Sequence, residues 1–246
     1  MRMKICMPIK PSTIPRSGTT GEKAGLCRLR KEGKRHSMRI ALTFDDGPNT
    51  SITPQVLDIL EEHGIVGTFF LIANNITPES AEMVRREQKM GCDIENHSVT
   101  HGFMDKMTVE QIREEVAECT RQIVEITGRQ PMFFRPPFIS LNQEMFDNID
   151  LTFICGSGCE DWVPTVPAEE RARRTLENAK DGEIVLLHDM QWNQNTADAL
   201  KVIIPELKKR GFAFVTVARL FEQKGVTPQH GWLYSNVLQT SGDNHL

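Results

Sequence analysis

Between Arg39 and Gln223 the apolar positions switch repeatedly between two periods. Short runs rich in β-branched and aromatic residues read as strands: Arg39–Phe44, Ile65–Ile72, Cys92–Glu95, Met132–Phe134, Leu151–Cys155, Glu183–Leu187 and Phe212–Val215. The stretches between them repeat apolar residues at helical spacing and read as amphipathic helices. These are Thr53–His63, Pro78–Lys89, Thr108–Thr127, Asn142–Asn148, Ala168–Ala179, Thr196–Arg210 and Val217–Gln223. Pro54 after Thr53 and the capping box Thr108-x-x-Gln111 mark helix starts, and Gly64, Gly91, Gly128, Gly182 and Gly211 mark ends. Seven strands, each followed by a helix, predict an α/β fold built on a parallel sheet, with a (β/α)7 barrel, one unit short of eight, as its natural closure. An open doubly wound sheet is the other arrangement such alternation allows.

Residues 1–37 break the pattern. They carry Pro8, Pro11, Pro15 and a basic run from Arg28 to Arg35, with neither period sustained. A flexible basic extension (a leader, a linker or a remnant) is expected there, followed by one catalytic domain with a short tail over residues 38–246. Met1–Ile9 lacks the apolar stretch of a signal peptide, so no secretion signal is legible. The extension holds ten Lys/Arg against two Glu, which leaves the body clearly acidic although the whole chain has net charge -4. An acidic body argues against nucleic acid as partner, and no apolar run is long enough to cross a membrane. A monomer is expected. Of the six cysteines only Cys155-x3-Cys159 has metal-clip spacing, and it lacks a second Cys or His pair, so buried or idle thiols are expected.

The polar clusters fall at one end of the predicted strands. Asp45 and Asp46 follow the first, His97 and His101 the third, Arg135 the fourth, Asp161 and Trp162 the fifth, and His188 and Asp189 the sixth. In a parallel barrel that end gathers the catalytic loops, so clusters far apart in sequence can share one pocket. His97-x3-His101 brings two imidazoles within reach of one ion if the segment turns helically, although taken alone the pair could be surface histidines. One of the two aspartates could complete a set of two imidazoles and a carboxylate, the arrangement of a hydrolytic divalent ion. The other would face the attacking water as base. His188, at the barrel mouth, could act as general acid, with Asp161 orienting it and Arg135 holding Asp45 ionised. There is no Gly-x-Ser-x-Gly elbow and no Gly-rich phosphate cradle, which argues against acyl-enzyme and nucleotide chemistry.

Thr43-Phe-Asp-Asp-Gly-Pro48, His97-Ser-Val-Thr-His101, Arg135-Pro-Pro-Phe138, Asp161-Trp162 and Leu186-Leu-His-Asp189 resemble, in order, the five motifs of the polysaccharide deacetylases, carbohydrate esterase family 4. The segments Phe133-Phe-Arg-Pro-Pro137, Asn148-Ile-Asp-Leu151, Glu160-Asp-Trp-Val-Pro164 and Tyr234-Ser-Asn-Val237 are most similar to the acetylxylan esterase branch. The resemblance implies a distorted (β/α)7 barrel and one divalent metal, Zn2+, Co2+ or Ni2+, on Asp46, His97 and His101. It further implies Asp45 as base with Arg135, and His188 as acid with Asp161. Water on the metal would attack the acetyl carbonyl, and the Phe138 N–H would meet the oxyanion. Trp162 and Leu186 would shape the acetyl pocket, and Trp192 could stack on a sugar ring, with core or packing roles as the alternative for all three. Phe138 stands where the family often has Tyr, and Gly158 where it often has Asp, which leaves His188 fewer partners. The implied substrate is O-acetylated xylan or its oligosaccharides. N-deacetylation of chitin oligomers or peptidoglycan is the rival activity, and a carbohydrate-binding relic the non-enzymatic one. The family implies action outside the cell, with work on imported oligosaccharides inside it as the other possibility.

Overall fold

The computed structural model describes residues 38–242, so the expected basic extension over 1–37 lies outside the described residues. The elements alternate as the patterning predicts. They are β1 (Met38–Gly47), α1 (Thr53–Glu62), β2 (Thr68–Leu71), α2 (Ala81–Met90), β3 (Asp93–Asn96), α3 (Val109–Thr127), β4 (Phe133–Phe134), α4 (Gln143–Asn148) and β5 (Thr152–Ile154). There follow β6 (Ser157–Gly158), α5 (Ala168–Asn178), β7 (Glu183–His188), α6 (Gln194–Lys209), β8 (Phe212–Phe214), α7 (Val217–Lys224) and β9 (Leu233–Tyr234). All seven predicted strands are present. The short β6 and β9 are additional, because two-residue strands carry no readable alternation. Helix α3 opens on the expected box, Thr108 accepting from the Gln111 N–H while the Gln111 side chain accepts from the Thr108 N–H.

Every strand pairing is parallel, in the order β6-β7-β1-β2-β3-β4-β5-β9, with β8 against the start of β1. The curled sheet is finished by the segment after β9, where Asn236 bridges Glu183 antiparallel and the Ile184 N–H donates to the Ser235 carbonyl at 3.1 Å. No eighth βα unit is needed, and the doubly wound alternative is set aside.

Strand alternation sorts the core into two faces. Ile40, Leu42 and Phe44 of β1, Phe69 and Leu71 of β2, and Val185 and Leu187 of β7 pack under the helices with Val56, Leu60, Leu200 and Ile203. Residues of the opposite parity, Ala41, Phe70, Phe133, Ile154 and Ile184, share the inner cluster with Val217, Phe221 and Tyr234. That parity has a direct consequence for function. Counting by twos from Ala41, Phe133 and Ile184 reaches Asp45, Arg135 and His188, so the inner face ends in ionisable groups at the C-terminal rim.

Leu42 is fully buried on the central strand. Leu42→Ala should lower stability by about 2–5 kcal/mol, read as a fall in the urea midpoint, because the surrounding layer cannot collapse onto the vacated volume.

Candidate functional site

The parallel register sets Asp45 of β1 beside His188 of β7. Immediately after Asp45 the β1–β2 register shifts, and Asp46 takes a left-handed φ of 71°. Without that irregularity simple alternation would aim Asp46 at the helix layer; with it, both aspartates line one cavity. Gly47 follows because there is no room for more. A Cβ there would stand 2.8 Å from a carboxylate oxygen of Asp189. Asp189 is fully buried beneath this turn, accepts a hydrogen bond from the Thr53 hydroxyl, and is not among the cavity residues. Burial, with the charges of Asp46 and Asp45 adding to it, pushes its carboxyl up to about 7.

The two histidines are brought together differently from the helical spacing expected. Ser98 and His101 both have left-handed φ, 70° and 56°, so the segment is an irregular turn. Its braces are local. The Asn96 Oδ1 accepts from the Ser98 N–H at 2.9 Å, the Ser98 hydroxyl accepts from the His101 N–H at 3.0 Å, and Glu115 of α3 collects the N–H groups of Val99 and Thr100. The sequence reading missed Asn96, Ser98 and Glu115, since residues that hold a turn carry no metal-ligand signature of their own.

Asp46 Oδ1 lies 3.4 Å from His97 Nε2 and 3.3 Å from His101 Nε2. These are ion-pair separations without hydrogen-bond geometry, and the buried Asp46 Oδ1 has no hydrogen-bond partner. Among the described residues this is the one cluster of His, Cys and carboxylate groups able to hold a metal. The spacing fits: a divalent ion about 2.1 Å from each atom in tetrahedral geometry spans about 3.4 Å between ligands. His97 Nδ1 lies 2.6 Å from the Arg135 carbonyl, to which it donates, so Nε2 is left unprotonated as a ligand must be. Burial works against an ionised Asp46. The close approach of His97, with the charges of His188 and His101, nevertheless brings it down to about 2, so it is an anion at neutral pH. Burial lowers the pKa of His101 and favours its neutral, ligating form. Cys155 and Cys159 belong to no such cluster among the described residues.

On one side of this set, Asp45 Oδ1 is gripped by Arg135 NH1, and Asp45 Oδ2 faces His97 Nε2 at 3.7 Å. Arg135 is fully buried, its guanidinium 4.2 Å above the Phe70 ring. Gly156, with φ of 89°, makes room for it, since a Cβ would stand 3.2 Å from Arg135 NH2. On the other side, His188 Nδ1 meets Asp161 Oδ1 at 2.8 Å, and the His188 N–H donates to Asp161 Oδ2 at 2.7 Å. Burial opposes the imidazolium, but the charge and hydrogen bond of Asp161, helped by Asp45 and Asp46, push His188 up to about 9.

Asp45, Asp46, His97, His101 and His188, with Pro136, Phe138, Ile139, Trp162 and Leu186, line a cavity of about 330 Å3. Phe138 has φ of 58°, and the N–H groups after it, of Ile139 and Ser140, are taken by the carbonyls of Pro136 and Pro137. Its ring is stacked on Phe103 at 4.2 Å and set edge-on to His101 at 4.5 Å. Trp162 stands edge-on to His188 and covers Gly158, where a Cβ would meet its ring at 3.1 Å. Trp192, half exposed, lines an adjoining groove with Asn49, Asn74, Asn75 and Gln191, which meets the cavity at Asp46 and His101.

A raised His188 contributes stability that is complete below its unfolded value near 6.5 and is lost as pH rises through about 9. In metal-free Asp161→Asn the imidazole midpoint, followed by NMR, should fall toward 6.5, and this alkaline loss of stability should shrink.

The polysaccharide deacetylase family model matches residues 32–151. A bifunctional xylanase/deacetylase of Pseudobutyrivibrio xylanivorans is 46% identical over 222 residues, 90% of this chain and 36% of that one, so the chain spans little more than a third of that relative. The Xyl-CE4 domain of a multidomain xylanase from the hindgut metagenome of Trinervitermes trinervoides superimposes with a TM-score of 0.80 at 44% identity, over 82% of this chain and 98% of that one. A family 4 acetyl xylan esterase from Clostridium thermocellum, in complex with a cobalt ion, gives 0.79 at 38%, over 81% and 99%. With the curled parallel sheet and the Asp-His-His cluster at its rim, these likenesses establish that the chain belongs to the polysaccharide deacetylase family, carbohydrate esterase family 4.

Proposed function

We propose that the protein is a metal-dependent esterase that removes O-acetyl groups from acetylated xylan or xylo-oligosaccharides. The observation that carries this reading is a single cavity in which an Arg-paired carboxylate and an Asp-paired imidazole flank an Asp-His-His set. The xylan assignment leans on the names of the relatives and on the groove beside Trp192, whose Asn49, Asn74, Asn75 and Gln191 amides suit a sugar chain. We propose that it acts outside the cell, where a polymeric substrate is met, with work on imported oligosaccharides inside the cell as the alternative.

A divalent ion, Zn2+, Co2+ or Ni2+, held by Asp46, His97 and His101 would supply Lewis acidity to the acetyl carbonyl and acidify the attacking water. Asp45 takes that water's proton on Oδ2, the oxygen Arg135 leaves open. As the acyl carbon becomes tetrahedral, the Phe138 N–H donates to the oxyanion, a contribution of about 2.7–4 kcal/mol in comparable sites. His188, its Nδ1 proton fixed by Asp161, gives the proton on Nε2 to the departing sugar oxygen as the C–O bond breaks, and acetate is released. Trp162 and Leu186 wall the acetyl group, and Trp192 offers a ring for stacking one sugar further along the chain.

The test is acetate release from acetylated xylan and from an N-acetylated chitin oligomer, with metal-stripped protein and with Zn2+ or Co2+ restored. Metal-dependent release from xylan is expected. Release from the chitin oligomer alone would move the protein to amide cleavage, and release from neither would leave a binding protein. In the same assay Asp45→Asn should lower kcat by at least about 100-fold while the far-ultraviolet spectrum is retained, since the amide keeps an acceptor for Arg135 but no longer takes a proton.

A further inference from the structure

Behind Asp161 stands a cation to which no role has been given. Arg171, on the first turn of α5, is 1% exposed and spends every guanidinium nitrogen inward. Its Nε donates to the Val166 carbonyl at 2.9 Å, its NH2 to the Val163 carbonyl at 3.2 Å, and its NH1 to both Asn193 Oδ1 and Thr196 Oγ1, the latter at 2.8 Å. Asn193 and Thr196, themselves buried, then reach the carboxylate that holds His188. The Thr196 hydroxyl lies 2.8 Å from Asp161 Oδ2. Asn193 Nδ2 lies 3.4 Å from the same oxygen and 2.9 Å from the His188 carbonyl.

The direction of these bonds follows from chemistry. A guanidinium has donors and no acceptor, whereas a hydroxyl can face either way and an amide can be turned over. Because Arg171 donates to Thr196 Oγ1, the hydroxyl proton has to point at Asp161. Because Arg171 donates to Asn193 Oδ1, the amide NH2 has to point at Asp161 and at the His188 carbonyl. Asp161 Oδ2 thus receives donors from three directions, counting the His188 N–H, and Oδ1 is left for His188 Nδ1. With Oδ2 taken up by donors, the carboxylate meets His188 Nδ1 through Oδ1 as an acceptor, so Nδ1 carries the proton of that bond and Nε2 is the nitrogen left for the cavity.

We propose that Arg171 is a positioning residue for the acid half of the reaction: through Asn193 and Thr196 it sets the hydrogen-bond polarity around Asp161 and so keeps His188 able to protonate the leaving sugar. This rests on the esterase reading above, and it makes a selective demand. A sugar oxygen leaves only with a proton from His188 Nε2. A 4-nitrophenolate leaves as the anion and needs none.

The experiment compares kcat and KM of the metal-restored protein on acetylated xylo-oligosaccharides and on 4-nitrophenyl acetate, for wild type, Arg171→Met, Arg171→Lys and Thr196→Val. Arg171→Met should lower kcat on the sugar ester about tenfold to a hundredfold, a part of the acid's full contribution, with KM little changed and a much smaller loss on the aryl ester. Arg171→Lys, which restores a charged donor, should recover much of the loss. Thr196→Val removes one relay hydroxyl at nearly constant volume and should show the same substrate selectivity; it decides the matter if Arg171→Met does not fold. Equal losses on both esters, a change confined to KM, or a Lys variant no better than Met would overturn the role. Wild type cleaving the aryl ester but no sugar acetate would take down both this proposal and the esterase reading, whereas sugar cleavage with unselective variants removes Arg171 alone.

Discussion

The site depends on one constraint, the parallel register that sets Asp45 of β1 directly beside His188 of β7. Neighbouring strands are held about 4.8 Å apart by their ladders, so side chains of the same parity on paired strands stay close whatever the loops do. Inner-face parity carries Arg135 to the same rim from β4, and the irregularity after Asp45 brings Asp46 round from the parity that would have buried it under the helices. The rigid ladder places Asp45 and His188, and the irregularity at the end of β1 and the turn after β3 bring in Asp46, His97 and His101.

That placement concentrates ionisable groups where water is scarce, and each is balanced by a named partner. Arg135 offsets Asp45, Asp161 offsets His188, and Asp46 faces two imidazoles. Such pairs are costly to bury and add little to stability in themselves. Their effect is on protonation: Asp46 is kept ionised and His188 charged. The residues that pin these partners, among them Arg171, Thr196 and Asn193, are as buried as the core and belong to α5, α6 and the loop before it, which the chemistry itself never touches.

Glycines mark where backbone and polar groups crowd. Gly47 lies against Asp189, Gly156 against Arg135, and Gly158 under Trp162. At the last of these, a side chain would crowd the indole that stands edge-on to His188.

The amino-acid sequence by itself determined the alternation of strands and helices and the identities of Asp45, Asp46, His97, His101, Arg135, Asp161 and His188. Those properties are local: period, cap and residue type are written within a few positions of each other. Only the tertiary structure decided that β6 and β9 would complete the sheet, and that His97 and His101 would meet through an irregular turn rather than a helical one. It likewise decided that Asp189 would turn beneath Gly47 and that Arg171 would stand behind Asp161. Each of these depends on a contact between residues distant in sequence or on a backbone angle that composition does not encode. An arginine among the charges of an amphipathic helix reads as surface until packing shows which face is buried.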